Sequence, residues 1–393
     1  MSMKMAERIL AGLPPGLSRL REAFRASDFD IRVVGGAVRD AAAGVVPKDV
    51  DLCTDANPEQ QQAIYEAAGV RCIPTGLKHG TWTVILGGEP VEITSLRVDR
   101  ETNGRHAEVE WTRDWRGDLA RRDLTINAMS MTLDSEVLDP FGGIEDIREN
   151  RVRFVGSAED RMREDYLRIL RWLRFEGRFG LSGQEANPEA MAAARVCRDG
   201  LEGISRERVW SEFKRIISGP RANSMIALTQ TLGLDTPCGL DIDNERLMSA
   251  RLEGVHDPVA LLAYSVPDIG ALAERWKWSS EERITGIWLS SRLTEITADP
   301  KRMVASAGQR RDRVATLMRL QGRHAEAEAI TAWEVPIFPV DGRDVEAMGI
   351  PKGREVGLAL ARMRECWTTS DYKTDAEALL TSERAKLSGG MKL

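Results

Sequence analysis

The chain has 393 residues, of which 42% are apolar and 30% charged, and a formal net charge of −6 at pH 7. That length supports two to four domains with buried cores, the acidic balance argues against a protein that coats nucleic acid generally, and no apolar run reaches the length of a membrane span. Five dispersed cysteines and four dispersed histidines form no CxxC pair, which argues against a disulfide framework or a zinc site and makes a reducing cytoplasm the expected compartment.

With so few soft ligands, a bound metal is expected on carboxylates, which favours a hard ion such as Mg2+. The opening MSMKMAERILAGLPPG scatters charges among short apolar patches, so no signal peptide is expected. Asp28 and Asp30 stand two apart but follow no glycine turn; they read as loop or cap acids, as do Asp241 and Asp243 further along. Apolar β-branched runs at 31–34, 82–86 and 91–94, separated by breaks containing Gly and Pro, predict strands.

Val33 and Val34 end the first of these strands. Gly35 and Gly36 then allow a tight turn and a close backbone approach. AVRDAAA favours a helix, which Gly44 suits at its end. A glycine turn opening a helix offers backbone N–H groups to an anion, and Arg39 adds a charge-assisted contact to a phosphate. Asp49-Val50-Asp51 predicts a strand with both carboxylates on one face. Such a pair is repulsive unless divalent cations sit between its members. Two metals about 3.5–4 Å apart are the usual clamp for in-line phosphoryl transfer. Glu92, in PVEIT, is either a third carboxylate on an adjacent strand or an exposed strand glutamate.

After about Phe154 the pattern turns helical, with apolar residues three and four apart. The predicted class is therefore α+β: a mixed N-terminal domain followed by helical ones. Residues 161–178 carry six arginines against three acids, and 301–323 carry seven basic residues against one acid. Each stretch is either a solvated helix face or a surface for nucleic-acid phosphates.

Five stretches in order, GGAVRD…KDVDLCTD, DLARRDLTINAMS, DPFGGIEDI, REDYLRILRWLRF and ISRERVWSEFKRII, resemble the motifs of the class II nucleotidyltransferases of the polymerase-β superfamily. This family holds the CCA-adding tRNA nucleotidyltransferases and the bacterial poly(A) polymerases. The resemblance spans about residues 33–217. It implies a polymerase-β-like head over 1–150, a helical neck over 151–218 with the base-selecting motif, a helical body over 219–330 and a helical, tRNA-binding tail over 331–393. It also implies Mg2+, CTP and ATP as substrates, and the tRNA 3′ end as acceptor. No obligate protein partner is evident.

Carried onto this chain, the resemblance implies that Asp49 and Asp51 hold metal for catalysis; Glu92 stands beside them as a candidate catalytic carboxylate. Gly35, Gly36, Arg39, Arg122, Asp123 and Asn127 would contact the nucleotide, Arg122 and Asp123 near the ribose. Asp165 and Arg168 would read the base. Three apart on a helix, they share a face. An aspartate accepts from the amino group shared by cytosine and adenine while an arginine donates to the neighbouring acceptors. Uracil and guanine would aim a carbonyl at the carboxylate, a clash of about 1–3 kcal/mol per group. Asp146 is expected to cap the segment after the hinge glycines. The loop within 97–115, with Asp99, Asn103-Gly104 and Arg105, would be the family's lever for switching from C to A. Arg310, Arg311, Arg313 and Arg319 are the candidates for tRNA phosphates. CCA addition is the expected activity; poly(A) addition, C-C-only or A-only addition, and an inactive RNA-binding relative are the alternatives.

Overall fold

A computed structural model describes residues 2–99, 109–180, 186–296, 299–306 and 310–389. The chain divides into two compact units, Met1–Cys238 and Gly239–Leu393. All strands of the described residues lie in the first unit and end at Leu138.

The head is a seven-stranded sheet of β1 (Ile31–Val34), β2 (Leu52–Thr54), β3 (Cys72–Gly76), β4 (Thr81–Leu86), β5 (Glu89–Ser95), β8 (Ser130–Thr132) and β9 (Val137–Leu138), in the order β3-β4-β5-β2-β1-β8-β9. β6 (Arg97–Asp99) and β7 (Val109–Trp111) form a separate two-stranded ribbon. The three predicted strands are β1, β4 and β5. Only β2 and β5 pair in parallel, with Leu52 opposite Ile93; the other pairs are antiparallel. The centre of the sheet is its most apolar part: β2 is wholly buried, and Ile31, Val33 and Val34 of β1 are at most 2% exposed. Phe24, Tyr65 and Trp82 close one flank edge-to-face, at centroid distances of 5.9 and 6.2 Å.

The strand expected at Asp49–Asp51 does not form; β2 begins only at Leu52. Pro47, which has no N–H to donate, lies in the stretch leading from the helix Gly36–Ala42 to β2. The first backbone bond joining that stretch to β1 runs from the Val34 N–H to the Asp51 carbonyl, at 3.0 Å.

Beyond the head, the first unit continues in helices, among them α1 (Ala158–Glu164), α2 (Leu167–Phe179), α3 (Arg206–Ile217) and α4 (Ala222–Thr231). The arginine-rich run at 161–178 is thus two helices. Asp165 sits between them in extended conformation, φ −152°, ψ 105°. The described residues of the second unit form helices joined by loops, among them α5 (Ser280–Ser290) and α6 (Arg311–Leu320). No described helix is long and apolar enough to cross a membrane.

Candidate active site

The glycine turn forms as the residues demand. Gly35 adopts φ +62°, which costs an L side chain strain, and a Cβ there would lie 2.6 Å from Arg122 Nη1. The missing side chain is therefore the space that the Arg122 guanidinium occupies.

Behind that turn runs a chain of polar contacts. Arg39, 8% exposed, donates to Asp40 Oδ1 at 2.8 Å and to Asn127 Oδ1 at 2.7 Å. Asn127 Nδ2 donates to Asp123 Oδ1 at 3.1 Å, and Arg171 Nε to Asp123 Oδ2 at 2.7 Å. Burial presses the Arg39 guanidinium below its ordinary range, with Asp40 acting the other way. For Asp123 burial acts to raise the carboxyl, but the Arg171 charge and the Asn127 and Leu124 donors outweigh it and hold it below the usual carboxylate range. These contacts join the glycine turn, the 118–130 motif and α2.

Asp165 is not on a helix face with Arg168, as the spacing suggested. It breaks the run. Its Oδ1 accepts from the Leu167 N–H at 3.1 Å, opening α2, and its Oδ2 accepts from Arg208 of α3 at 2.7 Å. Arg168 follows in the first turn of α2. It ion-pairs with Glu164 and donates to the Arg161 carbonyl at 3.1 Å.

Gly35, Gly36, Arg39, Arg122, Asp123, Asn127, Asp165 and Arg168 all line one cavity of about 470 Å³. Asp51, Arg121, Arg171, Arg174, Phe175 and Arg208 line it too. Seven arginines against three aspartates make it a place for a polyanion. Asp49, Asp51 and Glu92 line an adjacent cavity of about 460 Å³. The parallel register explains their meeting: Leu52 faces Ile93, so Asp51 and Glu92, each one residue earlier, lie side by side. Asp51 lines both cavities.

All three carboxylates are exposed, and none is ion-paired with a described residue. Among the described residues no group of three or more His, Cys, Asp or Glu stands close enough to hold a metal as it is. The donor chemistry nonetheless fits a hard divalent cation: three unpaired oxygen ligands with room between them.

Asp146 does not cap the segment after the hinge glycines. It is 0% exposed and accepts from Thr125 Oγ1 at 2.6 Å, Arg153 Nε at 2.9 Å and Arg151 Nε at 3.2 Å. A Cβ on Gly143 would meet the Thr125 carbonyl at 2.4 Å. Gly143 thus presses against the 118–130 motif, to which Asp146 is tied through Thr125. Of the aspartate pairs that follow no glycine turn, Asp243 caps a helix through the N–H groups of Glu245 and Arg246, and Asp28 pairs with Arg113.

The four arginines of the second unit do not form one exposed face. Arg313 is 7% exposed and pairs with Glu281 at 2.5 Å, which corrects the expectation that it faces RNA. Arg310 pairs with Glu281 and Asp312, and Arg311 donates to the Trp333 carbonyl at 2.9 Å. Arg319 is half-buried. Residues 100–108, with Asn103-Gly104 and Arg105, lie outside the described residues, as does the side chain of Asp99; the ribbon β6–β7 flanks them.

Residues 31–153 match the poly A polymerase head domain family. The chain is similar to CCA tRNA nucleotidyltransferase 1, mitochondrial, of Danio rerio, at 39% identity over 93% of this chain and 90% of that protein. It is 38% identical to the Homo sapiens protein of the same name, over 93% of this chain and 89% of that one. Among solved structures, the Bacillus stearothermophilus CCA-adding enzyme in complex with CTP aligns with a TM-score of 0.73 and 27% identity, over 97% of this chain and 100% of that one.

Proposed function

The chain belongs to the CCA-adding tRNA nucleotidyltransferases, and from that membership we propose how its own residues carry out the addition of C, C and A to a tRNA 3′ end. The observation that carries the reading is the position of Asp51, on the wall shared by the carboxylate cavity and the arginine-lined one.

The nucleotide lies in the arginine-lined cavity. Arg122, above Gly35, lies near the ribose, and Arg39 faces the phosphates from its buried position behind the glycine turn. Asp123 accepts from the ribose 2′-hydroxyl through the lone pair that Arg171 leaves free. Asp165, with one oxygen held by the Leu167 N–H and the other by Arg208, turns its remaining lone pairs toward the base amino group. Arg168, anchored by Glu164, donates to the adjacent ring acceptor. Cytosine and adenine satisfy both residues, whereas uracil and guanine leave a carbonyl facing the Asp165 carboxylate.

Asp49 and Asp51, with Glu92 beside them, would hold the divalent metal, magnesium by the hardness of the donors. Bound there, it supplies activation of the terminal tRNA hydroxyl and neutralisation of triphosphate charge. In the second unit, Arg311 and Arg319 are the arginines we place against tRNA phosphates. We place the enzyme in the cytoplasm, on its five free cysteines; the animal relatives carry the word mitochondrial in their names.

Asp51→Asn tests the site. It weakens metal binding and leaves the RNA surface untouched, so nucleotide addition is lost while tRNA affinity stays within about twofold. Asp28→Asn is the control and stays active. Substantial addition by Asp51→Asn would remove Asp51 from the metal site.

A further inference from the structure

Beside the nucleotide cavity lies another, of about 350 Å³, to which the residue assignments above give no role. Arg39, Arg174, Arg178, Arg215 and Arg221 line it, and no acidic side chain does. The acids stand behind the arginines. Asp40 takes Arg39 and Arg178, and Glu212 takes Arg174 and Arg215. Glu176, 5% exposed, has a buried Oε2 with no hydrogen-bond partner; burial pushes its carboxyl up to about 7, against the pull of Arg221. Five guanidinium groups therefore face three acids, one of them only about half ionised at pH 7. Burial pushes the Arg174 guanidinium down to about 10, against Glu212, the signature of a desolvated cation short of anions.

Arg39, Arg174 and Phe175 line both cavities and form a common wall. Arg39 and Arg174 stack on the Phe175 ring at 4.8 and 4.3 Å; Arg39 is bonded to Asp40 and Asn127 and Arg174 to Glu212, and each five-donor guanidinium keeps N–H groups beyond those bonds. Planar forks converging on a small concave volume suit a compact anion with several oxygens. The volume is at the low end of ligand cavities, about 300–1,000 Å³.

We propose that this cavity is a pyrophosphate site, which receives the leaving group of each addition from the nucleotide cavity next to it. The inference rests on the nucleotidyl-transfer reading above. In that reaction the terminal tRNA hydroxyl gives up its proton to solvent water and its oxygen bonds to the α-phosphorus. The bond from the α-phosphorus to the α,β-bridging oxygen breaks, and that oxygen leaves with the electron pair as part of pyrophosphate. The ion is released beside the common wall, and the neighbouring arginines offer it a place out of the nucleotide cavity.

The test uses Arg178→Ala/Arg215→Ala in the full-length protein. The two side chains are 42% and 59% exposed, and neither lines the nucleotide cavity. Binding of inorganic pyrophosphate is titrated by calorimetry, and its inhibition of CTP addition is measured beside the KM for CTP and the affinity for tRNA. The expected result is a tenfold or greater loss of pyrophosphate affinity and an equal rise in its inhibition constant, with the CTP KM and tRNA affinity unchanged. Arg178→Lys/Arg215→Lys keeps the charges and recovers most of the binding. No pyrophosphate binding by the unsubstituted protein, or an unchanged affinity in the alanine variant, overturns the proposal. So does a loss of tRNA affinity, which would make the cavity a seat for RNA phosphates. Failure of the unsubstituted protein to add any nucleotide is a separate result, and it would sink the functional reading itself.

Discussion

Arg208→Ala isolates the positioning of the base reader from the fold. Arg208 donates to Asp165 Oδ2 at 2.7 Å from α3, and the two side chains are 50% and 32% exposed. An ion pair so open to water contributes about 0–1 kcal/mol to stability. The melting temperature of the variant should therefore fall by no more than a few degrees. The effect on specificity is larger. With Arg208 in place, Oδ1 is fixed by the Leu167 N–H and Oδ2 by the guanidinium, so the carboxylate plane cannot turn. Without it, the carboxylate can rotate away from an incoming carbonyl, and part of the roughly 1–3 kcal/mol penalty against uracil disappears. A loss of about 1 kcal/mol is roughly fivefold in the ratio of kcat/KM for CTP to that for UTP. The assay is single-nucleotide addition to a tRNA ending before its C-C-A, with CTP and UTP each varied alone. Arg208→Lys, which keeps a donor, should recover part of the ratio. An Arg208→Ala enzyme with the wild-type ratio would refute the idea that Arg208 orients Asp165.

Gly35→Ala places a methyl group 2.6 Å from Arg122 Nη1 at φ +62°; the backbone cost is about 1–2 kcal/mol, and the movable Arg122 yields first, so the KM for CTP should rise well beyond what a melting curve would suggest, and an unchanged KM would contradict that role for the turn. Glu176 has its carboxyl raised by burial from 4.5 to about 7, so between those values the folded protein keeps a proton that the unfolded chain releases, and stability falls as pH rises through that window. Glu176→Gln should remove that slope and stabilise the protein at about pH 8 by up to roughly 3 kcal/mol; denaturant curves that stay parallel to wild type from pH 4.5 to 7 would count against it. Deletion of residues 100–108 should leave CTP addition largely intact and suppress the terminal AMP, read as product length; equal loss of both additions would make the segment a support of the fold alone.

Local signals were legible where chemistry and structure are close in sequence. The β-branched runs, the Gly35-Gly36 turn and the change to helix beyond the head follow from propensity and pattern. The eight residues expected at the nucleotide line a single cavity, although they come from three separate stretches. Three features were hidden, each for a physical reason. The helix break at Asp165 lies inside an unbroken helical periodicity; the aspartate overrides it by accepting from the Leu167 N–H and starting a new helix. Arg208 and Arg171 act on partners 43 and 48 residues away, and composition carries no trace of such pairs. Arg313 looked like part of a basic face, yet it stands four and seven residues before Leu317 and Leu320, on the apolar side of its helix. That spacing was a readable sign of burial, which the charge pattern obscured.

The central claim is that this chain builds C-C-A on tRNA without a template, choosing bases by Asp165 and Arg168. The most direct measurement is incubation with a tRNA lacking its last three nucleotides in the presence of CTP, ATP, UTP and GTP together, followed by sequencing of the 3′ ends. The account predicts products that end in C-C-A and grow no further. Runs of A, arrest after C-C, or incorporation of U and G at levels near those of C and A would contradict it.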